Sequence, residues 1–343
     1  MTKLSYIVPA YNAGSFIRQT VDGIFALPLS KDELEVIVVD DCSTDNTCEV
    51  LKDMQKAHPN LVVLHQERNQ RQGAARNRGI DVARGEYIAF CDADDEIVAD
   101  GVMNALQAVE KSHADICYFD FEYQRLNGSW VVCHSQAWNS KWRGVKTCKS
   151  SDYLNDEYTC AYNAPWRSLY RSAFLKNIGV RFVEGVRWED CDWTVKVYAQ
   201  AKEIQFVNGV GYRYAWNESA TSKQADAQAM AEQLMAGVRL YLFAKQIEKE
   251  LPGLYATLHQ EATHRYVIGN IRLRNLTKYH VADIVAIYRK VNRQDWHVMS
   301  TMRLPVWERI VVRHHILTIC LLIVACPTAA LGRAIVAQTR RPP

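Results

Sequence analysis

Apolar and polar positions over the first hundred residues switch repeatedly between two periods. Residues 4–9 form a short apolar run with β-branched members, and Phe16, Ile17, Val21, Ile24 and Phe25 then recur at helical spacing between Ser15 and Leu27. The switching continues with a strand at 35–40, a helix from the capping residue Asp45 to about His58, a strand at 61–65, a helix over 73–83 and a strand at 86–91. Strands and helices joined this closely predict a mainly parallel central sheet crossed over by helices, and ligands of such sheets bind beyond the carboxyl ends of the strands. After Asp100 the pattern becomes mixed: a strand over 114–121, a hairpin turn at Asn127-Gly128, and stretches at 168–177, 189–201 and 204–207 that keep the α/β character. From about Asp226 to Val291 the period is helical, broken at Pro252-Gly253, and no internal repeat is present.

At 343 residues the chain is long enough for one large domain or two, and 48% hydrophobic with 23% charged residues excludes disordered and collagen-like classes. A net charge of +3 is too small to imply a nucleic-acid partner. The positive charge belongs to the C-terminus, where six arginines between Arg303 and Pro343 face Glu308 alone. Ten cysteines include no C-x-x-C pair or zinc-finger spacing, so they read as free thiols of a reducing compartment, and the N-terminus has no signal-peptide pattern. The expected location is the cytoplasmic side.

Four polar segments fall at predicted strand ends. Asp40-Asp41 closes the second strand, where a helix-capping turn is the ordinary explanation. Asp92-Ala93-Asp94-Asp95 follows the fourth strand; in an extended segment residues 92 and 94 project to one side, suited to clamping a divalent cation. Glu189-Asp190 precedes an apolar-periodic run, and an acidic first turn is also what a helix dipole favours. The stretch Asn69 to Gly79 combines a glycine, a helix start and three arginines able to meet phosphate. Neither G-x-G-x-x-G after the first strand nor G-x-x-x-x-G-K-[ST] is present, which removes the dehydrogenase and P-loop explanations.

In this order Val8-Pro9-Ala10-Tyr11-Asn12, Val38 to Asp45, Asn69 to Gly79, Asp92 to Asp95 and Glu189-Asp190 resemble the family 2 glycosyltransferases. The resemblance covers about residues 4–222 and implies a GT-A type nucleotide-sugar-binding domain followed by a helical C-terminal region. It implies a catalytic domain over 1–222, with a donor-binding half at 1–100 and an acceptor side at 101–222. A helical region at 223–302 and a basic, apolar segment at 303–343 follow. The implied donor is a nucleoside-diphosphate sugar, a UDP-sugar foremost, and the acceptor a saccharide or lipid-linked saccharide in surface polysaccharide synthesis. Pro9 and Tyr11 would line the nucleobase pocket, Asp41 or Asp40 would accept from the base, and Asn69 and Arg76 would lie against the base, ribose or diphosphate. Asp94 would bind Mn²⁺ or Mg²⁺, with Asp92 at the ribose or metal shell, and Asp190 would be the base supported by Glu189.

Such a site implies an inverting hexosyl- or hexosaminyl-transferase, and the missing Q-x-x-R-W signature argues for single additions. Relatives carry an arginine before a Ser-x-Ser/Thr motif that reads Ser219-Ala-Thr221 here, and Arg213 is the candidate to stand in for it. A second reading, a catalytically silent nucleotide-sugar-binding or assembly protein of the same fold, differs in binding donor without transfer. Trp138, Trp142, Trp166 and Trp188 offer sugar-stacking faces, although buried core is the default for each. Ile316 to Leu331 carries no charge over sixteen residues, short for a bilayer span of roughly 20 residues and suited to an interfacial anchor on anionic lipid or to a core helix. Peripheral attachment to the inner membrane face is the expectation that follows.

Overall fold

The computed structural model describes residues 2–133, 146–156, 164–215 and 227–262. The chain divides into two compact units, Met1–Lys223 with Ile247–Thr257, and Gln224–Gln246 with Leu258–Pro343. In the first, strands β1 (Leu4–Ala10), β2 (Leu34–Asp40), β3 (Leu61–His65) and β4 (Tyr87–Phe90) alternate with helices α1 (Ile17–Phe25), α2 (Thr47–Ala57) and α3 (Arg71–Val82). Every residue of β1, β2 and β4 is buried, as expected for strands covered on both faces by crossover helices. All pairings here are parallel, and the spatial order is β3-β2-β1-β4. The chain therefore winds away from β1 in one direction and returns to its other side. That reversal opens a crevice at the carboxyl ends of β1 and β4.

Beyond it the sheet is mixed. Strand β5 (Glu96–Ile97) and helix α4 (Ala99–Ser112) lead to β6 (Ile116–Gln124), which forms a hairpin with β7 (Trp130–Cys133); Gly128, at φ +80°, supplies the left-handed residue of the connection. Then come β8 (Thr147–Lys149), α5 (Ser150–Asp156), β9 (Ser168–Arg171), α6 (Ser172–Ile178), α7 (Asp190–Gln200) and β10 (Glu203–Tyr214). β9 lies antiparallel between β4 and β6, and β10 runs parallel to β6. Residues 168–177 thus split into a strand and a helix, while the strand expected at 204–207 extends to Tyr214.

Helix α7 is fixed by its aromatic underside. Trp193 is 1% exposed, stacks on Phe182 at 4.1 Å and meets Phe90 of β4 edge-on at 5.7 Å. Burying that ring sets the start of α7 near the end of β4. The helical pattern expected beyond Asp226 is present as α8 (Ala227–Ile247), and a further helix runs over 252–262, beginning at Pro252; residues 263–302 lie outside the described residues. Among the described residues no helix is long and apolar enough to cross a membrane. Residues 303–343, with the apolar stretch 316–331, lie outside the described residues, as do Trp138, Trp142 and Ser219-Ala-Thr221.

Two glycines separate backbone effects from packing. A Cβ on Gly101 would sit 2.1 Å from the Val210 carbonyl oxygen, because α4 lies directly on β10, whereas one on Gly23, at an exposed position of α1, meets nothing within 4 Å. Gly101→Ala should therefore cost about 1–3 kcal/mol or more by overpacking, and Gly23→Ala should gain about 0.5–1 kcal/mol in helix propensity. Urea unfolding midpoints of the two variants would check this, and equal shifts would contradict the packing.

Candidate functional site

The polar segments that follow β1, β2 and β4 converge at the crevice, but their side chains divide the work differently from a simple row of carboxylates. Asp40 and Asp41, successive at the end of β2, face opposite neighbours. The Asp40 carboxylate accepts from the Ser43 amide at 3.3 Å and lies 3.3 Å from both the Cys48 sulfur and His65 Nδ1. Asp41 accepts from Gln66 Nε2 at 2.6 Å and the Gln70 amide at 2.7 Å. Burial raises the Asp41 carboxyl above its ordinary value against these hydrogen bonds. Pro9 is buried in β1, while Tyr11, just past its end, is half exposed and presents a ring at the crevice.

Asp92 to Asp95 is a turn closed by the Asp95 amide on the Asp92 carbonyl at 3.1 Å, not the extended segment expected from the sequence. Turning separates the three carboxylates. Asp92 accepts from Arg76 at 2.7 Å, and Asp95 is buried, accepting from Tyr212 Oη at 2.6 Å and the Ala215 amide at 2.8 Å. Asp94 is partly exposed between them. Burial holds the Asp95 carboxyl well above the carboxylate range, with Asp92 and Asp94 adding to the effect. The accessible pair is therefore Asp92 and Asp94, an oxygen-only donor set of the kind Mg²⁺ and Mn²⁺ take.

Arg76 joins this turn to Glu189. Its guanidinium is 2% exposed and donates to Asp92, to Gln72 at 3.0 Å and to Glu189 in a close ion pair. Glu189 is buried at the N-terminus of α7; burial raises its carboxyl, and Asp190 adds to that while Arg76 opposes it. Asp190, one residue on, is partly exposed. Asn69 is exposed and caps the turn into α3 by accepting from the Arg71 amide at 3.3 Å.

The rest of the Asn69–Gly79 stretch builds the support for α7. Asn77 bonds both the amide and the carbonyl of Phe182 at 2.9 Å and also reaches Glu184. Gly73 permits the contact, since a Cβ there would lie 2.4 Å from the Val183 carbonyl oxygen. Gln66, Gln70, Asn77 and Tyr212 are thus site residues that the sequence motifs did not single out; Gln70 and Asn77 lie inside the Asn69–Gly79 stretch, where the signal was an amide side chain at a helix start or within the helix. Arg213 pairs with Glu122 at 2.9 Å and lies over the Trp130 ring at 5.7 Å. Trp166 is core, stacked on Tyr212 at 4.2 Å.

Comparisons with known proteins agree with this architecture. The model of "Glycosyl transferase family 2" matches residues 5–179, just over half of the chain. The glycosyltransferase YibD of Escherichia coli (strain K12) is 28% identical over 225 residues, 64% of this chain and 63% of its own length. The poly(ribitol-phosphate) beta-N-acetylglucosaminyltransferase TarS of Staphylococcus aureus (strain Mu50 / ATCC 700699) is 30% identical over 217 residues, 63% of this chain but 36% of TarS. The chain thus spans less than two thirds of these relatives. Among solved structures, residues 1–349 of S. aureus TarS in complex with UDP-GlcNAc superpose with a TM-score of 0.59 at 21% identity, covering 91% of this chain and 87% of that one. The mannosyltransferase PcManGT from Pyrobaculum calidifontis, in complex with GDP-Man and Mn²⁺, gives 0.56 at 17% identity, covering 94% and 85%. The fold is that of the GT-A glycosyltransferases.

The buried ion pairs carry a stability consequence. Arg76→Met leaves Asp92 and Glu189 facing each other without a cation and should cost about 3–5 kcal/mol. Glu189→Gln, which keeps an acceptor and leaves Arg76 its Asp92 partner, should cost less. Denaturant titration of both variants tests the order; a loss under about 1 kcal/mol for Arg76→Met would mean the pairs are not what holds the site.

Proposed function

The chain belongs to glycosyl transferase family 2, and on that premise we propose that it moves a sugar from a nucleoside-diphosphate sugar, a UDP-sugar foremost, to a hydroxyl of a saccharide acceptor with inversion. The observation that carries this reading is the meeting of the Asp92–Asp94 turn and the Glu189-Asp190 helix start at one crevice, joined through Arg76.

In this reading Tyr11 stacks on the nucleobase and Asp41 accepts from the base, while Asp40 is turned away towards Cys48 and His65. Pro9 and Asn69 complete the donor side. Asp94 and Asp92 would hold Mn²⁺ or Mg²⁺, and the cation would supply charge neutralisation at the departing diphosphate. Arg76 is a positioning residue here: its guanidinium fixes Asp92 and Glu189, and so the distance between donor and base. Asp190 takes the proton of the acceptor hydroxyl as that oxygen bonds to the anomeric carbon and the bond from that carbon to the diphosphate oxygen breaks. One displacement inverts the anomeric centre. Glu189 supports Asp190 from the helix start.

The acceptor fits a lipid-linked saccharide in surface polysaccharide synthesis. Two sequence features support this reading: the basic, uncharged-centred segment around 316–331, and the free-cysteine composition of a reducing compartment. Peripheral placement on the inner membrane face follows from the same proposal.

The experiment is nucleoside diphosphate release from UDP-, GDP- and dTDP-sugars with Mn²⁺, Mg²⁺ or EDTA, alongside calorimetric donor binding. Asp94→Ala should weaken metal-dependent donor binding. Asp190→Asn should bind donor as wild type does and lose about 10²–10⁴-fold in turnover, the range of a general base. Equal loss of donor binding in both variants would overturn the separate roles.

A further inference from the structure

At the outer side of the β2 end, three elements bring together a carboxylate, a thiol and an imidazole. Asp40 ends β2, His65 ends β3 directly opposite it in the parallel register, and Cys48 lies in the first turn of α2. Asp40 Oδ2 is 3.3 Å from His65 Nδ1 and 3.3 Å from the Cys48 sulfur, and sulfur and nitrogen are 3.8 Å apart.

A tetrahedral cation with bonds of about 2.3 Å to sulfur and about 2.0 Å to nitrogen and oxygen would space these atoms about 3.5 Å (S to N and S to O) and about 3.3 Å (N to O). The three separations match to within about 0.3 Å. The triangle of donor atoms therefore has the size of a tetrahedral face. The base of the triangle is set by the strand register, and Asp40 is held by the Ser43 amide at 3.3 Å, the kind of outer hydrogen bond that orients a ligating carboxylate. The Arg78 guanidinium donates to the His65 carbonyl and fixes the end of β3. Asp40 is buried and Cys48 partly so, while the His65 side chain is 47% exposed, which leaves a route in from solvent.

We propose that Asp40, Cys48 and His65 bind a borderline-soft divalent cation, Zn²⁺ as the type case, through three protein ligands with water in the fourth position. Cys48 loses its proton to solvent on binding, so thiolate and carboxylate together balance the cation's two charges. Sulfur and imidazole select against Mg²⁺ and Mn²⁺, which keeps this site chemically separate from the oxygen-only pair Asp92 and Asp94. The inference rests on these three side chains alone and stands whether or not the transferase reading does.

The test uses the full chain, reduced and stripped with EDTA. Titration with Co²⁺ should produce a thiolate-to-metal charge-transfer band with the strong visible absorption of a tetrahedral site. Zn²⁺ should abolish both at one equivalent, and excess Mg²⁺ should not. Cys48→Ser should lose the charge-transfer band, and His65→Gln, at an exposed side chain, should weaken binding at least about tenfold, since even outer-shell partners are worth 10- to 100-fold. Cys133→Ser, on β7, should titrate as wild type. Far-ultraviolet circular dichroism confirms that each variant is folded. Absence of the band in wild type, or its persistence in both Cys48→Ser and His65→Gln, would overturn the site and leave the trio as a hydrogen-bonded cluster.

Discussion

A single buried cation organises the crevice. Arg76 holds Asp92 on one side and Glu189 on the other, residues that come from the end of β4 and the start of α7 and are separated by almost a hundred positions in the chain. Two carboxylates taken out of water repel one another and lose hydration, so neither segment could close over the other without a counter-charge between them. Guanidinium suits the place because its planar fork offers donors in two directions at once, which a lysine ammonium on a flexible stem does not. Its own charge is reinforced by its surroundings: the charges of Asp92 and Glu189, which it binds, and of nearby Asp190 outweigh the burial that would otherwise disfavour it. The geometry of the polar residues follows from that balance.

Backbone conformation shows the same concentration of constraint. Among the described residues, the non-glycine positions with positive φ other than His113, which ends α4, are Asn12, Cys42, Arg71 and Trp188, at 49°, 64°, 67° and 62°. Asn12 and Cys42 stand between a strand and the following helix, Arg71 opens α3, and Trp188 lies just before α7. Asn12 is the least costly choice, and its side chain compensates by accepting from the Thr44 amide at 2.8 Å. A left-handed residue reverses the chain within a single position, so functional groups are delivered at the strand ends instead of along a drifting loop. Conformations of this kind cost of order 1–3 kcal/mol each and persist where surrounding packing over-determines them. Here the packing is the sheet below and the Trp193 aromatic cluster under α7.

Strands β1, β2 and β4 were legible because fully buried parallel strands are written as apolar runs, and α1 and α2 because their buried apolar residues recur at helical spacing. The second half was less so. β9 inserts antiparallel between β4 and β6, a long-range pairing that no local period encodes. At the site, the residue types at the strand ends were visible, but their directions were not. Three aspartates in four residues looked alike until a turn sent Asp95 inward to Tyr212 and left Asp92 to Arg76. The arginine-rich stretch looked like a phosphate-facing surface, yet Arg76 is interior and Asn77 is a clamp on the Phe182 backbone. Sequence spacing reports which residues share a face; it does not report which of them another segment will cover.

Asp40 and Asp41 make that point with adjacent residues. Leaving a strand, successive side chains point to opposite sides, so two chemically identical groups enter unlike surroundings. Asp41 meets amide donors of Gln66 and Gln70 on the crevice side; Asp40 meets sulfur and imidazole on the outer side. The first set of neighbours stabilises a carboxylate that accepts hydrogen bonds, and the second is a set of soft donors around a hard one. No zinc spacing in the sequence announces the second group, because Cys48 and His65 reach Asp40 from a helix start and a neighbouring strand end. Parallel register alone brings His65 opposite Asp40. A sheet built to place one carboxylate at its ligand edge thereby builds a different coordination environment for the residue beside it.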